Sequence, residues 1–133
     1  MENQISRQII GAAIEVHRTL GGPGLLESIY EAALFHELTM QGLHCQRQIA
    51  IPVKYKNIVI RDPLFLDILV ENKVIVEVKA TEHDHPIHQT QLLTYLRLSG
   101  MKLGLLLNFG KKQVKEGISR MINGYPAEKA PWE

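Results

Sequence analysis

Three ionisable residues interrupt the most apolar part of the chain. Asp67 lies in LFLDILV (64–70), and Glu77 and Lys79 lie in VIVEVK, after a short polar interval. A charge inside a buried strand is costly unless something pairs with it. If Glu71, Asn72 and Lys73 form a three-residue turn, Val70 faces Val74 and Asp67 faces Glu77. Cross-strand partners share a face, with side chains about 5 Å apart. Lys79, two residues beyond Glu77, shares that face. A two-residue turn would shift the register and undo the pairing. Two carboxylates that close repel unless a cation lies between them. Hard oxygen donors suit Mg²⁺ or Mn²⁺, and a nearby lysine can orient or deprotonate the water that attacks a phosphodiester. The same three residues also suit a structural ion pair at the rim of a sheet. The strand pair alone leaves both readings open.

The elements that must position these residues are legible as periodicity. Residues 4–20 carry Ile5, Ile9, Ala12, Ala13, Val16 and Leu20 at helical spacing, and Gly21-Gly22-Pro23-Gly24 ends that helix. A second helix spans 25–41, with Leu26, Ile29, Tyr30, Ala33, Leu34 and Leu38 as its stripe and Gly42 as its stop. Residues 44–55 alternate as a half-covered strand, with Cys45, Arg47, Ile49, Ile51 and Val53 on one face. Pro52 suggests an edge or a bulge. Lys56-Asn57 reads as a turn, 58–61 as a short strand, and Asp62-Pro63 as a bend before the central pair. After a loop, Pro86 begins a helix over 86–99, closed by Gly100, and 101–108 is a buried strand. This strand–helix–strand order implies a right-handed crossover and a parallel pair. Residues 114–122 fit two periods and are read as an edge strand. The expected plan is one domain over 1–133: a helical hairpin at 4–41, a core at 44–122 and a flexible tail at 123–133.

Two further polar positions stand out. Glu27 falls in the first turn of its helix, where the dipole favours a carboxylate, and Tyr30 is three residues on. Gln91 and Tyr95 are one turn apart on an otherwise apolar helix, where they line a site or mark an amphipathic boundary.

Composition narrows the function classes. The 133 residues carry a formal charge of +1, so nucleic-acid contact would need local patches rather than a global basic field. A single cysteine excludes an internal disulfide and fits a reducing compartment. No apolar stretch is long enough to span a bilayer, and MENQISRQII lacks the pattern of a signal peptide. The expected location is cytoplasmic, with no membrane association.

Taken in order, an acidic residue on an early helix, Asp, then Glu-x-Lys, then Gln-x-x-x-Tyr resembles the PD-(D/E)xK nuclease superfamily, in particular its RecB and lambda-exonuclease-like branch. GPGLLESIYEAAL resembles the signature of the GxxExxY proteins, and VENKVIVEVKA, HQTQLLTYLRLSG and KLGLLLNFG are similar to that family in the same order. The resemblance covers about 5–122. It implies an α/β restriction-endonuclease-like core, a mixed sheet of about four to five strands flanked by helices. It also implies metal ligation by Glu27, Asp67, Glu77 and the Val78 carbonyl, a water-activating or phosphate-facing Lys79, and assistance from Gln91 and Tyr95. The expected activity is Mg²⁺- or Mn²⁺-dependent hydrolysis of phosphodiester bonds in DNA. The alternative is a non-catalytic nuclease-fold module binding nucleic acid or a protein partner; a homo-oligomer is compatible with either. The stretch before the aspartate departs from the family, with PLFLD where a polar or basic residue is common, and the nearest arginine is Arg61.

Several residues invite other chemistry. His83, His85 and His88 are close in sequence, but their spacing is not a standard zinc motif and no cysteine accompanies them. His17 and His44 read as surface or boundary residues, and Glu31 as a solvated acid. Cys45 reads as a small buried hydrophobe rather than a nucleophile. GGPG lacks the ending of a phosphate loop. Lys111, Lys112 and Lys115 read as a solvated basic turn, and Trp132 as a weak docking candidate.

Overall fold

The structure is a computed structural model that describes residues 2–123. The expected tail and Trp132 lie outside the described residues, apart from Asn123, whose side-chain amide donates to the Leu96 and Met101 carbonyls.

Helices α1 (Glu2–Thr19) and α2 (Glu27–Met40) pack as a hairpin and are followed by β1 (Cys45–Tyr55), β2 (Ile58–Val70) and β3 (Val74–Lys79). Helix α3 (Pro86–Ser99) leads to β4 (Leu103–Asn108), a 3-10 turn (Val114–Gly117) and β5 (Ile118–Ile122). The five strands form one mixed sheet in the order β1-β2-β3-β4-β5. Only β3 and β4 run parallel, as the strand–helix–strand order predicts. No helix among the described residues is long and apolar enough to cross a membrane.

Apolar patterning sets the layers. Ile5, Ile9, Ala12, Ala13 and Val16 of α1 and Tyr30, Leu34 and Leu38 of α2 are buried against Val74, Val76 and Val78. On the other face α3 seats Leu92 and Leu96 over Leu69, Ile75 and Leu106. Alternation along β3 therefore sends Glu77 and Lys79 to the α3 face. The loop ahead of α2 is tied down by Tyr30, whose hydroxyl donates to the Gly22 carbonyl at 2.7 Å and accepts the Leu25 N–H at 3.2 Å. The ring stacks on Phe109, with centroids 4.7 Å apart. His17 is buried in this aromatic group, with Nε2 3.0 Å from the Lys111 carbonyl oxygen. That corrects its reading as a surface or boundary residue: α1 turns His17 inward, where a backbone carbonyl satisfies its ring.

The β1/β2 hairpin differs from the sequence expectation in two respects. It closes at Lys56-Asn57, with φ of 51° and 68°, the left-handed pair of a tight hairpin turn. But β2 is continuous, without the expected bend at Asp62-Pro63. Register shifts between Ile51 and Val53, and between Val53 and Lys54, absorb the extra residues of β2 as bulges. Nor does β1 keep a single apolar face. Cys45 packs towards the helical hairpin and Ile49 and Ile51 towards α3. The faces exchange at Gln48, whose φ is +50°. The opposite strand makes the same exchange, since Ile68 and Leu66 belong to different layers. The register Arg47↔Ile68 and Ile49↔Leu66 sets Asp67 across from Gln48.

Candidate active site

The β2/β3 ladder holds Val70↔Val74, Leu69↔Ile75 and Ile68↔Val76, and then stops. Its turn has three residues, with Glu71 and Asn72 both at φ 53° and the Lys73 N–H donating to the Val70 carbonyl at 3.0 Å. Asp67 accordingly lies across from Glu77. At this position carboxylates replace the backbone ladder. Asp67 Oδ2 accepts the Val78 N–H at 2.8 Å, and Glu77 Oε1 accepts the Asp67 N–H at 3.3 Å. The strands part into a wedge that the two acids fill.

The kink at Gln48 lies on the other side of the same residue. Its amide donates to both oxygens of Glu31, at 3.3 and 3.0 Å, and Glu31 also accepts from Arg47 at 3.1 Å. A non-glycine residue at positive φ is uncommon and must be held there; the Glu31 carboxylate of α2 does the holding. Glu31 is buried, not solvated as its sequence position suggested, because Arg47 and Gln48 answer its charge as α2 packs on β1.

Burial, and then the neighbouring Asp67 charge, push the Glu77 carboxyl up to about 9. Burial also raises Asp67, opposed by the Val78 N–H and reinforced by the Glu31 charge. Both carboxyls are thus held above the ordinary carboxylate range, Glu77 the further of the two, because neither burial nor its neighbour favours a second negative charge. Crowded carboxylates pushed towards protonation are what a cation would relieve. The donor chemistry fits a hard divalent ion: two carboxylates and the Val78 carbonyl, which in a strand points the same way as its own N–H. Among the described residues no three His, Cys, Asp or Glu side chains are grouped to hold a metal. Mg²⁺ needs only one or two carboxylates, the rest of its shell being water or substrate oxygen.

The profile of the PD-(D/E)XK nuclease superfamily matches residues 3–121. The chain belongs to this superfamily. Asp67 and the Glu77-Val78-Lys79 run carry the superfamily's signature letters, with Leu66 where the signature has proline. The five-stranded mixed sheet flanked by helices is the restriction-endonuclease-like α/β fold that the sequence implies. The crystal structure of SSO0001 is similar in fold, with a TM-score of 0.53 at 17% identity over 90% of this chain. The chain spans 58% of that structure's length. Comparison with curated proteins gives no match.

The remaining site candidates of this PD-(D/E)XK chain fall into two neighbourhoods. Lys79 is half-buried and its charge acts on both Asp67 and Glu77. Tyr95 packs beside the acids; burial, then Glu77 and Asp67, raise its hydroxyl, while Arg61 opposes that shift. Gln91 is exposed, one turn before Tyr95. Glu27 is exposed at the first residue of α2, and its charge acts on His88, whereas Glu31 is the α2 acid that acts on Asp67. The histidine cluster divides: the His85 and His88 rings meet edge to face at 5.4 Å, while the His83 carbonyl accepts the Thr81 hydroxyl at 2.8 Å. Burial, then Glu71, push the half-buried Cys45 thiol up to about 11, so it stays protonated and a poor nucleophile. Lys111 pairs with Asp84 at 3.3 Å.

Sequence reasoning passed over Gln48, whose backbone geometry has no local signal, and Asn108. The latter is buried, and its Oδ1 accepts the Thr81 and Gly110 N–H groups at 3.0 and 2.9 Å. One signal was available: it is the first polar residue after the LLL run of β4, level with Lys79 across the parallel ladder. Gly110 is required beside it, since a Cβ there would lie 2.2 Å from the Thr81 carbonyl oxygen.

Proposed function

We propose that this chain is a Mg²⁺- or Mn²⁺-dependent nuclease that hydrolyses phosphodiester bonds in DNA in the cytoplasm. It reads as a single nuclease-like unit of the GxxExxY type, in the RecB and lambda-exonuclease-like branch. Support for that placement comes from Gly24, Glu27 and Tyr30 followed in order by Asp67, Glu77, Lys79, Gln91 and Tyr95. The observation that carries the reading is the crowded Asp67–Glu77 pair in the β2/β3 wedge, each acid accepting a backbone N–H from across the wedge, with Lys79 beside it.

Asp67, Glu77 and the Val78 carbonyl would hold the ion; Glu27, the further ligand that the resemblance implies, starts α2 on the His88 side of the site and would reach the ion through its water shell. When bound, the ion supplies positive charge at the phosphoryl group and acidifies the attacking water. Glu77 gives up its proton on loading. Asp67 is fixed by the Val78 N–H, so its second oxygen stays available. Lys79 faces the phosphate and orients or deprotonates the water. Tyr95, set between the acids and the Arg61 charge, contacts the substrate backbone, with Gln91 one turn away.

Alanine at Asp67 or Lys79 is expected to abolish metal-dependent cleavage of DNA; cleavage that survives in purified variants refutes the assignment. The second reading, a non-catalytic module, draws support from the exposed position of Glu27 and its electrostatic partnership with His88. Calorimetry with Mn²⁺ separates the two, since a module that binds no metal cannot run this mechanism.

A further inference from the structure

Lys79 also borders a cleft of about 130 Å³, whose walls include His85, His88 and Gln89 from α3 and its approach, and Asn108 and Ser119 from β4 and β5. The cleft is built, not incidental. Asn108 pins the segment ahead of α3, donating through Nδ2 to Thr81 Oγ1 at 3.2 Å and Asp84 Oδ1 at 3.1 Å. Gln89 Nε2 donates to Ser119 Oγ at 3.0 Å, which ties α3 to β5. The one acid in the wall, Asp84, is answered by Lys111 and by Asn108.

What remains is a crowd of basic groups. Among the described residues, Lys79, His85 and His88 are in no ion pair. The two imidazoles are in edge-to-face contact. Burial, then the Lys79 and His85 charges, hold His88 below its ordinary value, outweighing the Glu27 and Asp84 charges that oppose them. This is the converse of the acid wedge: there carboxylates crowd for want of a cation, and here basic groups crowd for want of an anion. The size restricts the anion. With a water taking about 30 Å³, the cleft has room for a few waters or one tetrahedral oxyanion. Gln89 keeps a free amide hydrogen, and Ser119, which accepts from Gln89, keeps its hydroxyl proton to donate.

We propose that this cleft binds one phosphate group of the nucleic-acid backbone, adjacent to the group attacked at the acid wedge, through Lys79, His85, His88, Gln89 and Ser119. The inference rests on the nuclease reading and extends it, because Lys79 would then touch two successive phosphates and fix the position of the cut. The phosphate is either an internal diester or a terminal monoester.

The test uses the full chain in EDTA, without turnover, with inorganic phosphate as the probe and the imidazole resonances of His85 and His88 as the readout. A saturable shift of both rings is expected, with a dissociation constant on the order of millimolar. His85→Gln and His88→Gln should each weaken it about tenfold, as loss of a charged hydrogen bond does. His44→Gln, on an exposed residue outside the cleft, should leave it unchanged. A 5′-phosphorylated dinucleotide that binds tighter than its unphosphorylated counterpart identifies a terminal phosphate; equal binding of the two, lost in His88→Gln, identifies an internal one. No saturable shift, or equal affinity in the wild type and both cleft variants, overturns the proposal. Since neither metal nor cleavage is involved, a protein that shows the response but does not cut refutes the nuclease reading alone. A protein that cuts without the response refutes the cleft alone.

Discussion

Replacing Glu77 by Gln keeps the shape of the side chain, and an amide N–H can take over the hydrogen bond to Asp67, but the variant has no proton to lose. The native carboxyl is held up to about 9 in the fold, against an ordinary value of 4.5. Between those values the folded chain carries one proton more than the unfolded chain. The unfolding free energy therefore falls as pH rises, by about 1.4 kcal/mol per unit. Below the lower value both states are protonated and the contribution vanishes; above the upper value both are ionised and the full cost is present. From about pH 5.5 to about pH 7.5 the metal-free protein should lose about 3 kcal/mol through this group. At about 3–5 °C per kcal/mol for a chain of this size, that is a fall in Tm of about 10 °C. Asp67, also raised, adds in the same direction.

Urea and thermal unfolding in EDTA, followed by circular dichroism at constant ionic strength, measures the slope for the wild type and for Glu77→Gln. Titrating groups distant from the wedge contribute equally to both proteins, so the difference reports position 77 together with its coupling to Asp67. The variant should have the shallower slope and be the more stable protein above about pH 7. Equal slopes would show that no proton is held in the wedge, and the argument for a cation-replaceable pair would fail with it.

Three further outcomes follow from named contacts. Mn²⁺ binding near neutral pH should release about one proton per ion, read from calorimetry in buffers of different ionisation enthalpy, and Glu77→Gln should release none. Glu31→Ala leaves Arg47 and Gln48 without their shared acceptor; it should cost about 1–3 kcal/mol in urea unfolding and weaken Mn²⁺ binding, with Glu31→Gln milder on both counts. Gly110→Ala drives a methyl into the Thr81 carbonyl and should cost about 2–4 kcal/mol in the same assay, a steric conflict with backbone that no rotamer relieves.

The parts of this fold that local chemistry encodes were legible in the sequence. Alternation and a three-residue turn place Asp67 across from Glu77, and the β2/β3 register agrees. Pro86 and Gly100 bracket α3, with Gly100 in the left-handed cap the helix end requires. The edge strand read over 114–122 is there, shortened by the 3-10 turn that precedes it. Illegible were the features imposed from a distance. Glutamine has no preference for positive φ, and a pattern of alternating Cys45, Ile49 and Ile51 contains nothing that announces an exchange of faces. Glu31 looked solvated because periodicity says which way a helix residue points, not what waits opposite it. Asn108 and Asp84 gain their roles only when β4 delivers Asn108 to the loop of Thr81 and Asp84, some two dozen positions away in sequence. These two classes of information meet at Asp67. The exchange of faces at Gln48 in β1 lies level with Asp67, and the β2/β3 ladder ends one residue short of it, where Asp67 takes the Val78 N–H instead. The acid pair is thus set by the turn, and on its other side Asp67 is bordered by the kinked Gln48 and the α2 carboxylate that holds it. Metal affinity should therefore respond to Glu31 although that residue is no part of the proposed ligand set, strongly in Glu31→Ala, which removes the acceptor of Gln48, and weakly in Glu31→Gln, which keeps one.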